Sequence, residues 1–373
     1  MKRIMMVLAV LLVVSCLLFA GGQKAGGGAA DGKIRITLLM RNMNEQFLKD
    51  YAENVRKLAA EKGVDLNVQD ANNDMQAQLT QLDTALNQGY KYFVIIPIDG
   101  EMSEQMNRAI AERGGAASYS NTPPTTAALR VGKNFFFASS PELIAGKFAG
   151  QILADYFDKN PDKAPGKTIN LIHIQGALGH PAQVNRQKGM EDELKARGYT
   201  VNKIAEDTAN WTPDQAQEKM STWIGAHRGR FNAIIAQNDG MAMGAIEALI
   251  QNGLTKSDAS DGTILTVPVI GYDATDEAIN SMSQNKLYGT VLQDSSAQSA
   301  VAFNIIYELA ATGSVLGKPI TGLDKAGTAF TLSPPTAPIT EYPADDAAVI
   351  QQCYLVPYAP IDKDSGYYKA KVR

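Results

Sequence analysis

The chain has 373 residues, of which 45% are hydrophobic and 20% are charged, and its formal net charge is −4. The length favours two domains, and the composition is typical of a globular protein. The negative charge and the absence of any run of basic residues argue against nucleic acid or an anionic membrane surface as a partner.

The first 20 residues are typical of an export signal. Two basic residues precede an apolar run over residues 4–20, which is shorter than the roughly 20 residues of a membrane-spanning helix. Two processing routes stay open: cleavage after Ala20, or lipidation of Cys16, which follows a sequence resembling a bacterial lipobox. Both place the mature protein in the periplasm or on the outer face of the cell membrane, with contact to the membrane only through such a lipid. Cys353 is then the one remaining free thiol, so no intramolecular disulfide is expected.

Residues 21–32 are rich in glycine and alanine and are predicted to form a flexible tether. Strands and helices then alternate. Apolar runs and helical spacing predict strands over 34–40, 64–68, 92–97, 116–119 and 135–138, and helices over 47–63, 75–88 and 102–113.

The alternation begins again after residue 141. Strands are predicted over 169–174, 199–205, 231–236, 267–271 and 289–292, and helices over 143–156, 183–197, 213–226, 241–251, 276–284 and 297–311. Alternating strands and helices predict parallel sheets with helices on both faces, and two such runs predict two similar lobes with a binding cleft between them. A Gly/Pro/Thr-rich insertion over 313–343 follows, with a strand at 329–332, then a last strand over 349–356 and a polar tail.

Polar and aromatic residues follow several of these strands. The sequence places Trp211 after DTAN, Asn238 before DGMAMG and Asp273 after IGY. Small ligands bind at the carboxyl ends of the strands in open α/β sheets. An indole, an amide and carboxylates at that edge are suited to hold a neutral molecule covered with hydroxyl groups.

These motifs, together with IQGALGHP at residues 174–181, resemble the galactose/glucose-binding branch of the ribose-binding-like (type I) periplasmic solute-binding family of ABC sugar importers. The resemblance extends over residues 34–364, except for the insertion over 313–343. It implies an α/β protein with the type I periplasmic binding protein fold: two Rossmann-like lobes with parallel sheets, joined by a three-segment hinge and closing over one sugar.

Carried onto this chain, the resemblance implies an N-terminal lobe of residues 33–139 plus 294–355 and a C-terminal lobe of 140–292 plus 360–373. The hinge is expected near 138–140, 293–294 and 356–358.

The same resemblance implies a set of ligand-binding residues. Phe47 and Trp211 are expected to stack on the apolar faces of a sugar ring, while acids, amides and other polar groups bind its edge. Other roles stay open: a core position for Phe47, the cap of the following helix for Asp273, and a solvated helix charge for Arg186. The full set is Glu45, Phe47, Ser120, Asn121, His180, Arg186, Trp211, Asn238, Asp273 and Gln293.

Several positions depart from the family pattern. Glu45 stands in place of an aspartate and Ala182 replaces an aspartate next to the Gly-His-Pro motif, so the identity of the sugar stays open. The calcium loop of the family is not preserved, because Pro161 interrupts it and Asn232 stands where a distal glutamate is usual. No metal and no cofactor are therefore expected.

The predicted function is that of an extracytoplasmic, monomeric solute-binding protein, not an enzyme. It captures a monosaccharide, a hexose such as galactose or glucose, and delivers it to the permease of an ABC importer; a chemoreceptor is an open second partner. The alternatives are a binding protein for a pentose or a modified sugar, and an exported carbohydrate-active enzyme that pairs Asp273 with Glu45. A LacI-type regulator shares the fold but needs a DNA-binding domain where the export signal stands.

Overall fold

A computed structural model describes residues 32–372. The predicted export signal, the lipidation site Cys16 and nearly all of the predicted tether lie outside this range. None of the helices in the described part of the chain is long and apolar enough to cross a membrane.

The first lobe begins with the elements β1 (Arg35–Met40), α1 (Gln46–Glu61), β2 (Asp65–Asp70), α2 (Met75–Asn87), β3 (Tyr92–Ile96), α3 (Ser103–Glu112), β4 (Ala116–Tyr119), α4 (Thr126–Arg130) and β5 (Phe135–Ser139). These five strands and β13 (Cys353–Leu355) form the first sheet, in which all strands run parallel in the order β13-β5-β4-β3-β1-β2.

The second lobe contains the elements α5 (Glu142–Lys159), β6 (Thr168–Gln175), α6 (Pro181–Ala196), β7 (Thr200–Thr208), α7 (Pro213–His227), β8 (Ala233–Ala236), α8 (Asp239–Gln251), β9 (Val269–Tyr272), α9 (Asp276–Ser283) and β10 (Gly289–Leu292). Its five strands and β14 (Ala359–Ile361) form the second sheet in the order β14-β10-β9-β8-β6-β7, and β14 is the antiparallel strand of this sheet.

The C-terminal part of the chain returns to the first lobe and then leaves it again. Helix α10 (Ser295–Thr312) packs on α1 and on the first sheet, and the hairpin β11 (Ile320–Leu323) and β12 (Ala329–Leu332) packs against α10. Strand β13 (Cys353–Leu355) joins the first sheet, whereas β14 (Ala359–Ile361) and α11 (Gly366–Lys371) belong to the second lobe. The chain thus passes between the lobes after β5, after β10 and after β13.

Each sheet is covered on both faces by helices whose apolar residues point toward it. In α1 the spacing of Leu48, Tyr51 and Val55 places all three in one buried cluster with residues of β1 and α10. A second cluster on the other face of the first sheet gathers residues of α2 and α3, and the second sheet carries two clusters of its own. The observed α/β fold with two lobes confirms the predicted fold class.

Four short elements were missed by the sequence analysis: α4, β11, β14 and α11. The predicted strand over 349–356 is also shorter than expected, because the chain makes a 3-10 turn at Ile350–Gln352 before β13 begins. The sequences of β11 and β14 contain glycine or proline and do not stand out as apolar runs. β11 forms by pairing with β12, and β14 by pairing with the distant strand β10.

Candidate functional site

The carboxyl ends of strands from both lobes meet around one cavity. Its wall contains nearly all of the residues predicted to bind a ligand, together with Arg41 and Ala182. The lining residues are Arg41, Glu45, Phe47, Asn121, His180, Ala182, Arg186, Trp211, Asn238, Asp273 and Gln293.

Trp211 owes its position to two backbone features. It has a left-handed conformation with a φ of 66°, and its carbonyl accepts a hydrogen bond from Asn238 Nδ2 at 3.0 Å. The indole lies so close to Gly176 that a Cβ atom there would be 2.0 Å from the ring. Glycine is therefore required at position 176, and the indole is held against β6. Phe47, on the first turn of α1, reaches the same cavity from the first lobe.

Arg41 is a residue that the sequence analysis missed. It follows β1 directly and donates from one terminal nitrogen to Glu45 Oε2 at 2.8 Å. Asn42 holds the other carboxylate oxygen of Glu45 at 3.0 Å, which fixes the carboxylate. The rule that strand ends carry ligand groups applies to position 41 as it does to 273, and it was the signal that could have found Arg41.

His180 connects the two lobes. Its Nδ1 accepts a hydrogen bond from the backbone N–H of Ala182 at 3.1 Å, as the N-cap of α6. The proton of the neutral ring is therefore on Nε2, which donates to Thr122 Oγ1 in the first lobe at 3.2 Å. Burial, together with the charges of Arg41 and Arg186, lowers the pKa of His180 to about 3.

Arg186 is buried, and most of its donors are already used. Its Nε donates to Glu142 Oε2, and its terminal nitrogens donate to the Gln237 carbonyl, to Gln293 Oε1 and to the Tyr358 hydroxyl. The guanidinium of Arg186 thus uses four of its about five N–H groups in hydrogen bonds within the protein. The interpretation of Arg186 as a solvated helix charge is wrong, and its main contacts organise the cavity wall.

Asp273 lies at the end of β9 with a left-handed φ of 110°. Thr275, and not Asp273, caps the following helix α9, so the alternative interpretation of Asp273 as an N-cap is wrong. Within residues 32–372 no group donates a hydrogen bond to the Asp273 carboxylate. Burial raises the pKa of Asp273 well above its usual value; Arg186 opposes this rise, whereas Asp239 and other carboxylates add to it.

Asn238 and Asp239 have different tasks. Asn238 caps α8 by accepting from the N–H of Met241 at 2.8 Å, while its amide nitrogen holds the Trp211 carbonyl. Asp239 is buried behind the cavity, where Thr275 and Thr290 donate to its carboxylate. Burial raises its pKa to about 7.

Ser120 is the one predicted residue that the structure does not bring to the cavity wall. Its side chain is fully buried, and its hydroxyl donates to the carbonyl of Ala138. The neighbouring Asn121 does reach the cavity, with a left-handed φ of 61° and its N–H donating to Ser139 Oγ.

Four lining side chains keep a buried polar atom that has no hydrogen-bond partner among residues 32–372. Three of these atoms are donors, on Arg41 (Nε), Trp211 (Nε1) and Gln293 (Nε2), and one is an acceptor, Asn121 Oδ1. Each such group costs about 1–3 kcal/mol when it stays unpaired. The cavity therefore presents both donors and acceptors to whatever it binds.

Within the described residues, no cluster of three or more histidine, cysteine or acidic side chains is arranged to hold a metal ion. The loop before β6, where the resemblance implied a calcium site in the family, is held by hydrogen bonds to Asn232. Asn232 donates to the carbonyls of Lys163 and Thr168, and its oxygen accepts from the N–H of Asn170 at 2.7 Å.

The sequence of this chain matches a known protein family. A family model described as a periplasmic binding protein domain matches residues 36–314. A xylitol-binding protein of Mycolicibacterium smegmatis is 27% identical over 299 residues, which are 79% of this chain and 78% of that protein. A D-galactose/methyl-galactoside binding periplasmic protein of Haemophilus influenzae is 26% identical over 293 residues, which are 78% of this chain and 85% of that protein.

A solved structure shows the same fold. The crystal structure of a Caulobacter myo-inositol binding protein with myo-inositol bound superposes with a TM-score of 0.69 at 20% identity, covering 94% of this chain and 98% of that chain. These proteins are named for different solutes, so the similarity supports sugar binding in general and does not single out galactose or glucose.

Proposed function

The chain belongs to the periplasmic binding protein family, and from that premise we propose that it captures a neutral hexose between its lobes and delivers it to an ABC permease. Members of this family are extracytoplasmic solute-binding proteins of ABC transporters, not enzymes. The choice of a hexose, and the residues that bind it, are the proposal.

The observation that supports this most directly is the set of unpaired polar atoms around the cavity. Arg41, Trp211 and Gln293 offer donors, whereas Asn121 and the Asp273 carboxylate offer acceptors. A sugar hydroxyl both donates and accepts, so a ring covered with hydroxyl groups satisfies both kinds of atom. A hydrocarbon ligand leaves all of them unpaired.

The aromatic residues favour a ring with apolar faces. Phe47 and Trp211 reach the cavity from opposite lobes, and each offers an aromatic ring of the kind that packs on the C–H groups of a pyranose. A sugar ring held between these two side chains is the occupant that we propose.

A polyol or a pentose is the second candidate. It is favoured by Glu45 and Ala182, which change the rim where the hexose branch has two aspartates, and by the names of the relatives that bind xylitol and myo-inositol. The hinge that we propose, near 138–140, 293–294 and 356–358, serves either ligand equally well.

Titration calorimetry with glucose, galactose, ribose, xylose, xylitol and myo-inositol tests both candidates. We expect at least one hexose to bind with a Kd of about 1 μM or lower, a free energy of about −8 kcal/mol. Tight binding of only pentoses or polyols, which are ribose, xylose, xylitol and myo-inositol in this set, moves the assignment to the second candidate. Failure of all six ligands to bind contradicts the proposal.

Asp273→Asn tests the site itself. The change keeps the shape but puts an amide donor where a carboxyl oxygen accepts from the ligand, so affinity is expected to fall about tenfold. Asp214→Asn, at an exposed position on α7, is the matched control and is expected to leave the affinity unchanged. Equal affinities for the two variants speak against a ligand contact at Asp273.

The location follows from the family, whereas the mode of attachment is part of the proposal. We infer a monomer that is either free after cleavage at Ala20 or anchored through a lipid on Cys16. Mass spectrometry of the mature protein distinguishes them, because lipidation adds the mass of the acyl chains to a chain that begins at Cys16.

A further inference from the structure

The segment at the end of the insertion contacts both lobes, and we define it as the brace, residues 338–346. The hydroxyl of Tyr342 in the brace accepts from the N–H of Thr126 in the first lobe at 3.1 Å. Asp346 pairs with Arg130, also in the first lobe, at 2.5 Å. The brace is therefore attached to the first lobe at two points.

One side chain of the brace reaches the second lobe. Glu341 Oε2 accepts from the N–H of Leu143, in the first turn of α5, at 3.2 Å. The N-cap residue of α5 is Pro141, which forms no side-chain hydrogen bond to the helix. The N–H groups of the first turn of a helix have no partner within the helix and are commonly satisfied by a side-chain oxygen. Glu341 thus caps α5 from the other lobe, and this hydrogen bond joins the two lobes.

The carboxyl group of Glu341 is buried beside a second acid. Glu341 is 7% exposed, and Glu142, which lies at the start of α5, is 5% exposed. Oε2 of Glu142 accepts from Arg186 and Tyr358, whereas its Oε1 has no hydrogen-bond partner among residues 32–372. Two buried carboxyl groups that interact with each other are costly when both are ionised. A proton on Glu341 removes this repulsion.

The surroundings of Glu341 favour its neutral form. Burial raises the pKa of Glu341 to about 7, and the carboxylates of Glu142 and Asp345 add to the rise, while two backbone N–H groups at the start of α5 oppose it. Lys188 of α6 is the basic side chain that lines the same groove, and it pairs with Asp192 on its own helix. Since the cation beside Glu142 is engaged by that residue, the closed arrangement leaves Glu341 without a counter-charge of its own.

We propose that the brace couples closure of the lobes over the sugar to the uptake of one proton by Glu341, so that the protein holds its sugar more tightly in acidic than in alkaline surroundings. This rests on the proposed function, because a sugar has to close the lobes. When the lobes rotate apart, the carboxyl group separates from Leu143 and becomes exposed to water, where it ionises. When they close, it is buried again and takes a proton from the solvent, while its other oxygen still accepts from Leu143.

The direction of the pH effect follows from the difference in pKa between the two forms. The closed form keeps the proton up to about pH 7, whereas an exposed glutamate loses it above pH 4.5. The contribution of Glu341 to closure is therefore complete below pH 4.5 and is lost as the pH rises through 7. Sugar affinity falls over that range and is constant above it. The insertion, whose role the sequence left open, thus makes sugar retention sensitive to pH.

Titration calorimetry at pH 6 in phosphate, MES and imidazole buffers measures the proton uptake, because the apparent enthalpy of binding changes with the ionisation enthalpy of the buffer. The ligand is the sugar that binds most tightly among the six named above. The wild-type protein is expected to take up about one proton per sugar more than Glu341→Gln, which keeps the accepting oxygen but does not titrate. Asp345→Asn, at an exposed position of the brace, is the matched control and is expected to take up as many protons as the wild type. Asp239 and Asp273 are present in all three proteins, so their titration cancels in the comparison.

The pH dependence of the affinity is a second measurement. The ratio of the Kd at pH 8 to the Kd at pH 5 is expected to be about tenfold or more greater in the wild type than in Glu341→Gln. Equal proton uptake and equal Kd ratios in these two proteins overturn the role of the brace but leave sugar binding intact. An equal loss of proton uptake in Asp345→Asn assigns the effect to the charge of the whole segment and likewise overturns the role of Glu341. Failure of the wild-type protein to bind any of the six ligands overturns the proposed function and this inference with it.

Discussion

Arg186 and Glu142 form an ion pair that is almost completely buried, with Nε and Oε2 at 2.8 Å. The pair joins α6 to the start of α5, directly after the chain enters the second lobe. Tyr358, at the last passage between the lobes, donates to the same Oε2 atom at 2.8 Å. Two of the three passages between the lobes therefore meet at the Glu142 carboxylate. The same carboxylate holds Arg186, which lines the cavity.

Replacing Glu142 with alanine is expected to destabilise the protein by about 3–5 kcal/mol, because Arg186 is left buried without its counter-charge. The measurement is urea unfolding followed by tryptophan fluorescence. Glu104→Ala, which removes an exposed pair with Arg108 on α3, is the control and is expected to cost less than about 1 kcal/mol. Equal losses for the two variants contradict a structural role for the buried pair.

Gly176→Ala is expected to weaken sugar binding about tenfold or more. A Cβ atom at this position would lie 2.0 Å from the indole of Trp211, so the ring has to leave the cavity wall. Calorimetry of the variant measures the loss. Gly225→Ala on α7 is the control, because nothing lies within 4 Å of its Cβ position and its affinity is expected to remain at the wild-type value. Unchanged affinity in Gly176→Ala removes Trp211 from the binding site.

The sequence predicted the elements that stand out as apolar runs or as helical periods, including short ones. Strands β4, β10 and β12 lie at the expected residues, and α1 begins one residue before the predicted start. The α/β alternation specifies two parallel sheets because apolar runs and helical spacing are local signals. Short elements such as β14 depend on pairing with a strand about 70 residues away, and no local pattern reports that contact.

The candidate site was predicted from the same local signals. The errors in that prediction have a common physical cause. Trp211 and Asp273 lie at strand ends, so the topology alone directs them to one edge. What the sequence does not contain is the number of hydrogen bonds already used within the protein. Ser120 follows β4 as Arg41 follows β1, but the hydroxyl of Ser120 is used by the Ala138 carbonyl. Only the folded structure shows whether a donor already forms a hydrogen bond within the protein.

Glu341→Gln is expected to stabilise the protein at pH 8 but not at pH 4. Burial raises the pKa of Glu341 from 4.5 to about 7, and the Glu142 carboxylate adds to the rise. The folded protein thus keeps a proton that the unfolded chain loses above pH 4.5. The contribution to stability is complete below that pH and is lost as the pH rises through 7.

The glutamine variant does not titrate and therefore avoids this loss of folding free energy, which amounts to about 1.4 kcal/mol for each unit of pKa difference between the folded and unfolded states. Its amide oxygen still accepts the hydrogen bond from the N–H of Leu143. Thermal midpoints at pH 4 and pH 8 provide the comparison. Glu218→Gln, at an exposed position on α7, is the control and is expected to behave like the wild type at both pH values. A Glu341→Gln midpoint that exceeds the wild-type value equally at both pH values speaks against the titration of Glu341.

Lys325→Met is expected to speed the release of bound sugar. Lys325 lies in the turn of the β11–β12 hairpin, which packs on the first lobe, and its Nζ reaches the Ala274 carbonyl at 3.3 Å and Asp276 Oδ1 at 3.4 Å in the second lobe. Ala274 follows Asp273 directly, so this contact links the hairpin to the strained turn at the cavity. Loss of one partly exposed contact of about 0.5–1 kcal/mol is expected to raise the dissociation rate about two- to fivefold.

Lys371→Met is the control for this experiment. Lys371 pairs with the same Oδ1 atom of Asp276 at 3.6 Å, but it lies on α11 within the second lobe. The Lys371→Met variant therefore removes a positive charge beside Asp276 without breaking a contact between the lobes. Its dissociation rate is expected to stay at the wild-type value. Stopped-flow fluorescence in a Trp223→Phe background, in which Trp211 is the remaining tryptophan, measures both rates. If both lysine variants release sugar equally fast, the effect belongs to the charge of Asp276 and not to the link between the lobes.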